Sequence, residues 1–228
     1  MSTFDLATTP LRELNAALHQ LNGQSNDTRW EVRNPLGKHA IAVGIDAPVT
    51  VEIDGHVGYY CGGMNKQAKI TIAGNAGVGV GENMMSGEIH IKGDASQAAG
   101  ATGRGGFLVI DGNASARCGI SMKGIDIVVK GSIGPMSAFM AQAGNLVVLG
   151  DAGEALGDSI YEARLFVRGD VKSLGADCVE KTPTAEERET LAALLKRAGC
   201  EDVSPDDFRL YGSARKLYNF HIDNVSSY

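Results

Sequence analysis

The stretch ITIAGNAGVGVGENMMSGEIHIKG, residues 70–93, contains one pattern twice. Ile70-Thr71-Ile72 ends two positions before Gly74, and Ile89-His90-Ile91 ends two positions before Gly93. Aliphatic residues alternating with polar ones are the period-2 signature of a strand with one buried face. Between the two copies lies a literal G-x-G-x-G (Gly77, Gly79, Gly81). Such glycines either cradle a phosphate or serve the backbone alone, and the rest of the chain decides between these uses.

Seven glycines stand at an unbroken interval of 19: Gly55, Gly74, Gly93, Gly112, Gly131, Gly150 and Gly169. Two positions before them come Ile53, Ile72, Ile91, Ile110, Val129, Val148 and Val167; four before come Val51, Ile70, Ile89, Leu108, Ile127, Leu146 and Leu165. These alternate with mostly polar residues such as Glu52, Thr71, His90 and Asp126. Directly after the glycines follow His56, Asn75, Asp94, Asn113, Ser132, Asp151 and Asp170, small polar side chains suited to holding a bend through nearby backbone groups. Five rungs carry a second glycine seven residues on (Gly62, Gly81, Gly100, Gly119, Gly157), with Ala138 and Ala176 in the other two.

A strand, a bend and a strand recurring every 19 residues, with no helical stretch between them, predict an all-β solenoid. Each turn leaves backbone groups that the next turn satisfies about 4.8 Å away. A left-handed hexapeptide helix has rungs in multiples of six, and a leucine-rich repeat shows a helical arm. Nineteen therefore points to a right-handed β-helix of about seven 19-residue turns, with short N- and C-terminal helices. Gly74 and Gly81 belong to repeat columns, Gly77 matches Gly58, Gly134 and Gly153, and only Gly79 is peculiar to its turn. No Lys-Ser/Thr follows and no helix begins there, so the motif reads as solenoid corners, where glycine supplies positive φ or close backbone approach.

The pattern divides the chain into residues 1–35, an N-terminal helix and connection; residues 36–181, the β-helix; and residues 182–228, C-terminal helices and an aromatic tail. Thr9-Pro10 opens an amphipathic helix with Leu11, Leu14, Leu18 and Leu21, ending at Gly23. Residues 24–34 read as a polar connection and 36–50 as an irregular strand leading into the first turn. Thr184 and Glu187 form a capping box for a helix carrying Leu191, Leu194 and Leu195, and Ser204-Pro205 starts a short third helix. Solenoid ends are open sheet edges, so covering them is the expected role of these helices. The tail LYGSARKLYNFHIDNVSSY either folds back on the solenoid or docks on another subunit through residues such as Tyr218 and Phe220.

Net charge is −6 with no block of Lys or Arg, which argues against nucleic acid and anionic membrane as partners. No apolar run reaches the ~20 residues of a membrane span, and a soluble, cytoplasmic protein is expected. The four cysteines (Cys61, Cys118, Cys178, Cys200) are widely spaced and read as structural thiols, not cluster or zinc ligands. The five histidines are isolated in sequence, and no catalytic, cofactor-binding or metal-ligating residue is assigned. Met64, Met84, Met122 and Met140 fall nine or ten residues after their repeat glycine, as an internal filler column or as a soft apolar stripe for a partner. Arg104 and Lys123 share a phase one turn apart and form a small basic spot. Met84, Met122, Arg104, Lys123, Tyr218 and Phe220 are thus the candidate interface residues.

A 19-residue, glycine-cornered β-helix containing Gly77-Val-Gly-Val-Gly81 resembles the GXGXG domain, the C-terminal β-helix of the large subunit of glutamate synthase. TFDLATTPLRELNAALH, VGYYCGGMN, ENMMSG, ATGRGG, CGISMKGIDIVVKG, LGDSIYEARLFVRG, KSLGADC and GSARKLYNF resemble the free-standing glutamate-synthase-like subunits of N-methylglutamate synthases (methylamine–glutamate N-methyltransferases). The resemblance implies a hetero-oligomer in which a class II glutamine amidotransferase-like subunit and an FMN-binding glutamate synthase-like subunit are joined by a non-catalytic β-helix chain. The assembly would convert methylamine and L-glutamate to N-methylglutamate and ammonia. FMN and an iron–sulfur cluster would reside in the partner synthase subunit, with no cofactor in this chain. The alternatives are a GXGXG subunit of an ammonia-transferring glutamate synthase, and a free-standing β-helix ligand-binding protein or enzyme.

Overall fold

The structure is a computed structural model that describes residues 1–21 and 28–215. Along the chain run β1 (Ser2–Asp5), α1 (Leu11–His19), β2 (Arg29–Arg33), β3 (Thr50–Asp54), β4 (Lys69–Ile72) and β5 (Glu88–Ile91). There follow β6 (Phe107–Ile110), β7 (Lys123–Val129), β8 (Ala143–Val148), β9 (Arg164–Val167), β10 (Cys178–Lys181), α2 (Ala185–Arg197) and β11 (Arg209–Ser213). β1 to β9 stack in chain order as one parallel sheet, and β11 and then β10 close it antiparallel. The fold is a right-handed β-helix of about seven regular turns.

Register follows the sequence period. Val51 pairs with Ile70, Ile70 with Ile89, and so on to Leu146 with Leu165, each step being 19 residues. The step from Trp30 to Val51 is longer, at 21. A second ladder of single parallel bridges links Val57, Ala76, Ala95, Ala114, Ile133, Ala152 and Val171. The inward side chains of both ladders are buried in one continuous core.

The repeat glycines serve close packing. From Gly74 onward none has positive φ. A Cβ on Gly131 would lie 2.5 Å from Asn113 Oδ1 and 2.7 Å from Gly112 O in the preceding rung. The polar residues beside these glycines bond between rungs. Asn75 N donates to His56 Nδ1 (2.8 Å), Asp94 N to Asn75 Oδ1 (2.9 Å) and Asn113 N to Asp94 Oδ1 (2.7 Å). Ser132 N donates to Asn113 Oδ1 (2.9 Å), Asp151 N to Ser132 Oγ (2.9 Å) and Asp170 N to Asp151 Oδ1 (2.8 Å). Arg209 finishes the column, donating to Gly169 O at 2.6 Å and lying 3.7 Å from Asp170.

The opposite side of each rung is a run of bends in which left-handed residues recur at alternate positions. Tyr60, Gly79, Ala98, Arg117, Met136 and Ala155, five after the glycine, have φ of 53–69°. Positions seven and nine after it repeat this at 57–67° and 51–57°. Gly79 and Gly81 are therefore two left-handed steps of a solenoid bend, and Gly77 is a close approach to Gly58.

The ends and flanks depart from the sequence reading in three ways. Residues 29–33 are a strand, because Trp30 and Val32 point into the core between Arg29, Glu31 and Arg33. Residues 36–49 are bends instead of a strand; Leu36, Ala40, Ala42 and Gly44 adopt left-handed backbone, and inward and outward residues alternate only from Ile45 to Val49. α1 begins without a side-chain cap, but it does cover its end of the solenoid. Leu14 and Leu18 are buried, Asn15 donates to Ala40 O (2.8 Å) and accepts from Ala42 N (3.0 Å), and His19 meets Val43 O (2.6 Å).

α2 lies elsewhere than expected. Its capping box forms as read, with Thr184 and Glu187 bonded reciprocally. However, Leu191, Leu194 and Leu195 rest on the outer face of the sheet, over Phe107, Val109, Val128, Val147 and Phe166, while β10 and β11 cover the C-terminal end. The outward column changes from Glu31, Glu52, Thr71 and His90 to Val109, Val128, Val147 and Phe166, and an apolar outer face requires a cover.

Three substitutions probe this packing. Gly131→Ala, which overpacks the glycine column, is expected to cost about 1–3 kcal/mol, and Asn113→Ala, which strands Ser132 N, about 1 kcal/mol. Gly199→Ala meets nothing within 4 Å and strains only its φ of +71°, for about 1 kcal/mol. Thermal unfolding followed by circular dichroism should rank Gly131→Ala below Gly199→Ala.

Candidate functional site

The surfaces free to act are two long sides of the solenoid. One is the outer sheet face over β2 to β5, which α2 leaves open. There Arg29 pairs with Glu52 at 2.8 Å and Arg33 with Glu31 at 2.9 Å. A groove of about 230 Å³, lined by Thr50, Lys69, Thr71, His90, Val109 and Arg197, marks the edge of the helix's cover. Arg197 stacks over the Phe107 ring at 4.1 Å and donates to Glu88 at 2.6 Å, which pins the end of α2.

Beside the groove a polar cluster centres on Asp111. Lys130 Nζ lies 2.8 Å and His90 Nε2 2.9 Å from Asp111 Oδ1, and Lys92 Nζ lies 3.5 Å from Oδ2. Burial pushes the Asp111 carboxyl up, but the bonds from Lys130 and His90 outweigh it and hold the group below the ordinary carboxylate range. The arrangement fixes the Asp111 carboxylate between Lys130, Lys92 and His90, and the His90 ring belongs both to this cluster and to the groove wall.

The other free side is the bend side, and it sorts the candidate interface residues. Met84 and Met122 are fully buried, so of the two readings the internal filler column holds for them and their place among the candidate interface residues is corrected: they fill the core beside the left-handed bends. The exposed methionines on this side are Met64, Met85 and Met140. Arg104 and Lys123 are both exposed on this side, one rung apart as the period implies. Tyr218 and Phe220 lie outside the described residues. Of the histidines, His19, His39, His56 and His90 each have a hydrogen-bonded ring nitrogen, and His221 lies outside the described residues.

No family model matches the chain. It is 66% identical to protein GlxC of Rhizobium meliloti (strain 1021) over 228 residues, which span the whole of both chains. The chain belongs to the GlxC family.

In this GlxC-family chain the thiols are withdrawn from chemistry. All four are buried and free. Desolvation pushes Cys61 and Cys118 up to about 12 and Cys178 up to about 11, so they are neutral at physiological pH. Among the described residues no group of three His, Cys, Asp or Glu side chains could hold a metal ion. None of the described helices is long and apolar enough to cross a membrane. Sequence reasoning missed the open half-face of the sheet. Its signal was available in the outward column, where polar residues give way to Val109 and its successors.

The thiol shifts set a pH dependence. A thiol whose folded pKa is raised stabilises the fold fully below the ordinary value near ~8.5, and that stability is lost as pH rises toward the folded pKa. Unfolding midpoints should therefore fall between about pH 8 and 11. Cys61→Ala/Cys118→Ala should flatten that fall, since Ala99 fills the same column. In the native protein at neutral pH, Cys61 and Cys118 should not react with a chromogenic disulfide reagent until denaturant is added.

Proposed function

We propose that this chain is the non-catalytic assembly subunit of a glutamate-synthase-like complex of the N-methylglutamate synthase type. The observation that carries the reading is the division of its surface. α1 packs on one end of the solenoid and β11 and β10 extend the sheet at the other, α2 covers half of the outer sheet face, and among the described residues nothing covers the rest of that face or the bend side. A body of this kind offers two long, separate surfaces on one stiff frame, which suits a part that holds other chains at fixed spacing. The motifs that resemble the free-standing β-helix subunit run from TFDLATTPLRELNAALH to GSARKLYNF and support the same reading.

In this reading the chemistry resides in the partners. The class II amidotransferase-like subunit handles the amide or amine nitrogen, and the flavoprotein, with FMN and an iron–sulfur cluster, carries the redox chemistry. The β-helix chain fixes their separation and orientation, an effect worth several powers of ten in effective concentration for a passed intermediate. The assembly forms N-methylglutamate and ammonia from methylamine and L-glutamate.

Affinity purification of the tagged chain from its native host tests this. The expected result is a yellow eluate containing an amidotransferase-like chain and a flavoprotein, identified by mass spectrometry and visible absorption. A colourless, solitary chain, or turnover of methylamine and glutamate by the purified chain alone, would overturn the proposal.

A further inference from the structure

We infer that the bend-side stripe formed by Met64, Met85 and Met140 with Arg104 and Lys123 is a docking surface for a partner protein that presents carboxylates along an apolar strip. The inference rests on the assembly reading and adds which side meets a partner and by what chemistry.

The stripe consists of the positions nine and eleven residues after the repeat glycine, from Met64 to Gln142. They hold Met64, Lys66, Asn83, Met85, Thr102, Arg104, Ser121, Lys123, Met140 and Gln142, with no carboxylate among them, in a chain of net charge −6. Met64 is 45% exposed, Met85 42% and Met140 39%. Across four rung steps of about 4.8 Å the stripe is roughly 19 Å long, a span that fits a protein contact.

Two features argue against a bland surface. Met64 and Met140 hold left-handed backbone, at φ 57° and 52°, where other rungs place Asn83 and Ser121 at φ 57° and 51°. These methionines leave 39–45% of their surface in water, an apolar area suited to a contact outside the chain. Methionine also adapts its shape to a partner. The second feature is charge. This chain usually pairs its cations: Lys66 with Asp46, Arg197 with Glu88, Lys130 with Asp111 and Lys172 with Glu154. Among the described residues Arg104 and Lys123 have no such partner, a state they share with Arg12, Lys38, Arg117, Arg164, Lys181 and Lys196, but they alone of these lie on the stripe. Two unpaired cations beside exposed methionines match an acidic, apolar protein surface, and they are too few to follow a phosphate backbone.

The test uses the full-length tagged chain in its native host, in place of the wild-type copy. One variant is Arg104→Glu/Lys123→Glu. The other is Met64→Asn/Met85→Gln/Met140→Ser, which uses residues that other rungs already carry in those columns (Asn83, Gln142 and Ser121). Both should keep the wild-type melting curve. Each should recover the amidotransferase-like chain or the flavoprotein at less than about a tenth of the wild-type amount, with the charge variant's loss greatest at low salt. Wild-type recovery of both partners by both variants would overturn the stripe and leave the assembly reading standing. Failure of the wild-type chain itself to bring down either partner would overturn the assembly reading, and the stripe with it.

Discussion

Every rung of this molecule depends on the amide groups of the next. The sheet bonds from β1 to β9, the bends on the opposite side and the side-chain ladder from His56 to Asp170 all run between turns. That arrangement demands a nearly constant separation around the whole circumference. The glycine column enforces it at the tightest corner, where any Cβ would meet the preceding turn's backbone. Stability in such a body is a sum of neighbour terms, so a single misfit rung weakens its own two interfaces more than distant ones.

The same constraint explains the division of the surface. Stacked strands present columns instead of isolated residues, so a change in one outward column alters a whole face. Polar from Glu31 to His90 and apolar from Val109 to Phe166, that column splits the sheet into an open part and a part that must be covered. α2 provides the cover, and Arg197 holds its end through Phe107 and Glu88.

Period-2 alternation and the interval of 19 were sufficient for the fold, because each repeat reports the same inward positions. They were insufficient where the repeat breaks. β2 was hidden by its longer 21-residue step, although Trp30 and Val32 alternate with charges in plain view. The left-handed backbone of Tyr60, Ala98, Arg117 and Met136 left no trace, since none of these residue types marks such a conformation; the neighbouring rungs impose it. Met84 and Met122 stand ten residues after their repeat glycine and Met64 and Met140 nine, a difference of phase that carries meaning only once the bends are known to alternate. In this alternating backbone a shift of one residue turns a side chain from the core to the solvent.

The constant step has a consequence for dimensions. A body built of identical rungs measures length in integers, with one turn adding about 4.8 Å and no change of direction. Removing 19 residues between β3 and β5 would shorten the open face by one such unit while leaving every column in line and the footing of α2 untouched. Removing a turn between β6 and β9 would take away part of that footing. The solenoid is in this sense a graduated ruler, with a half fixed under α2 and a half whose length can change by whole turns.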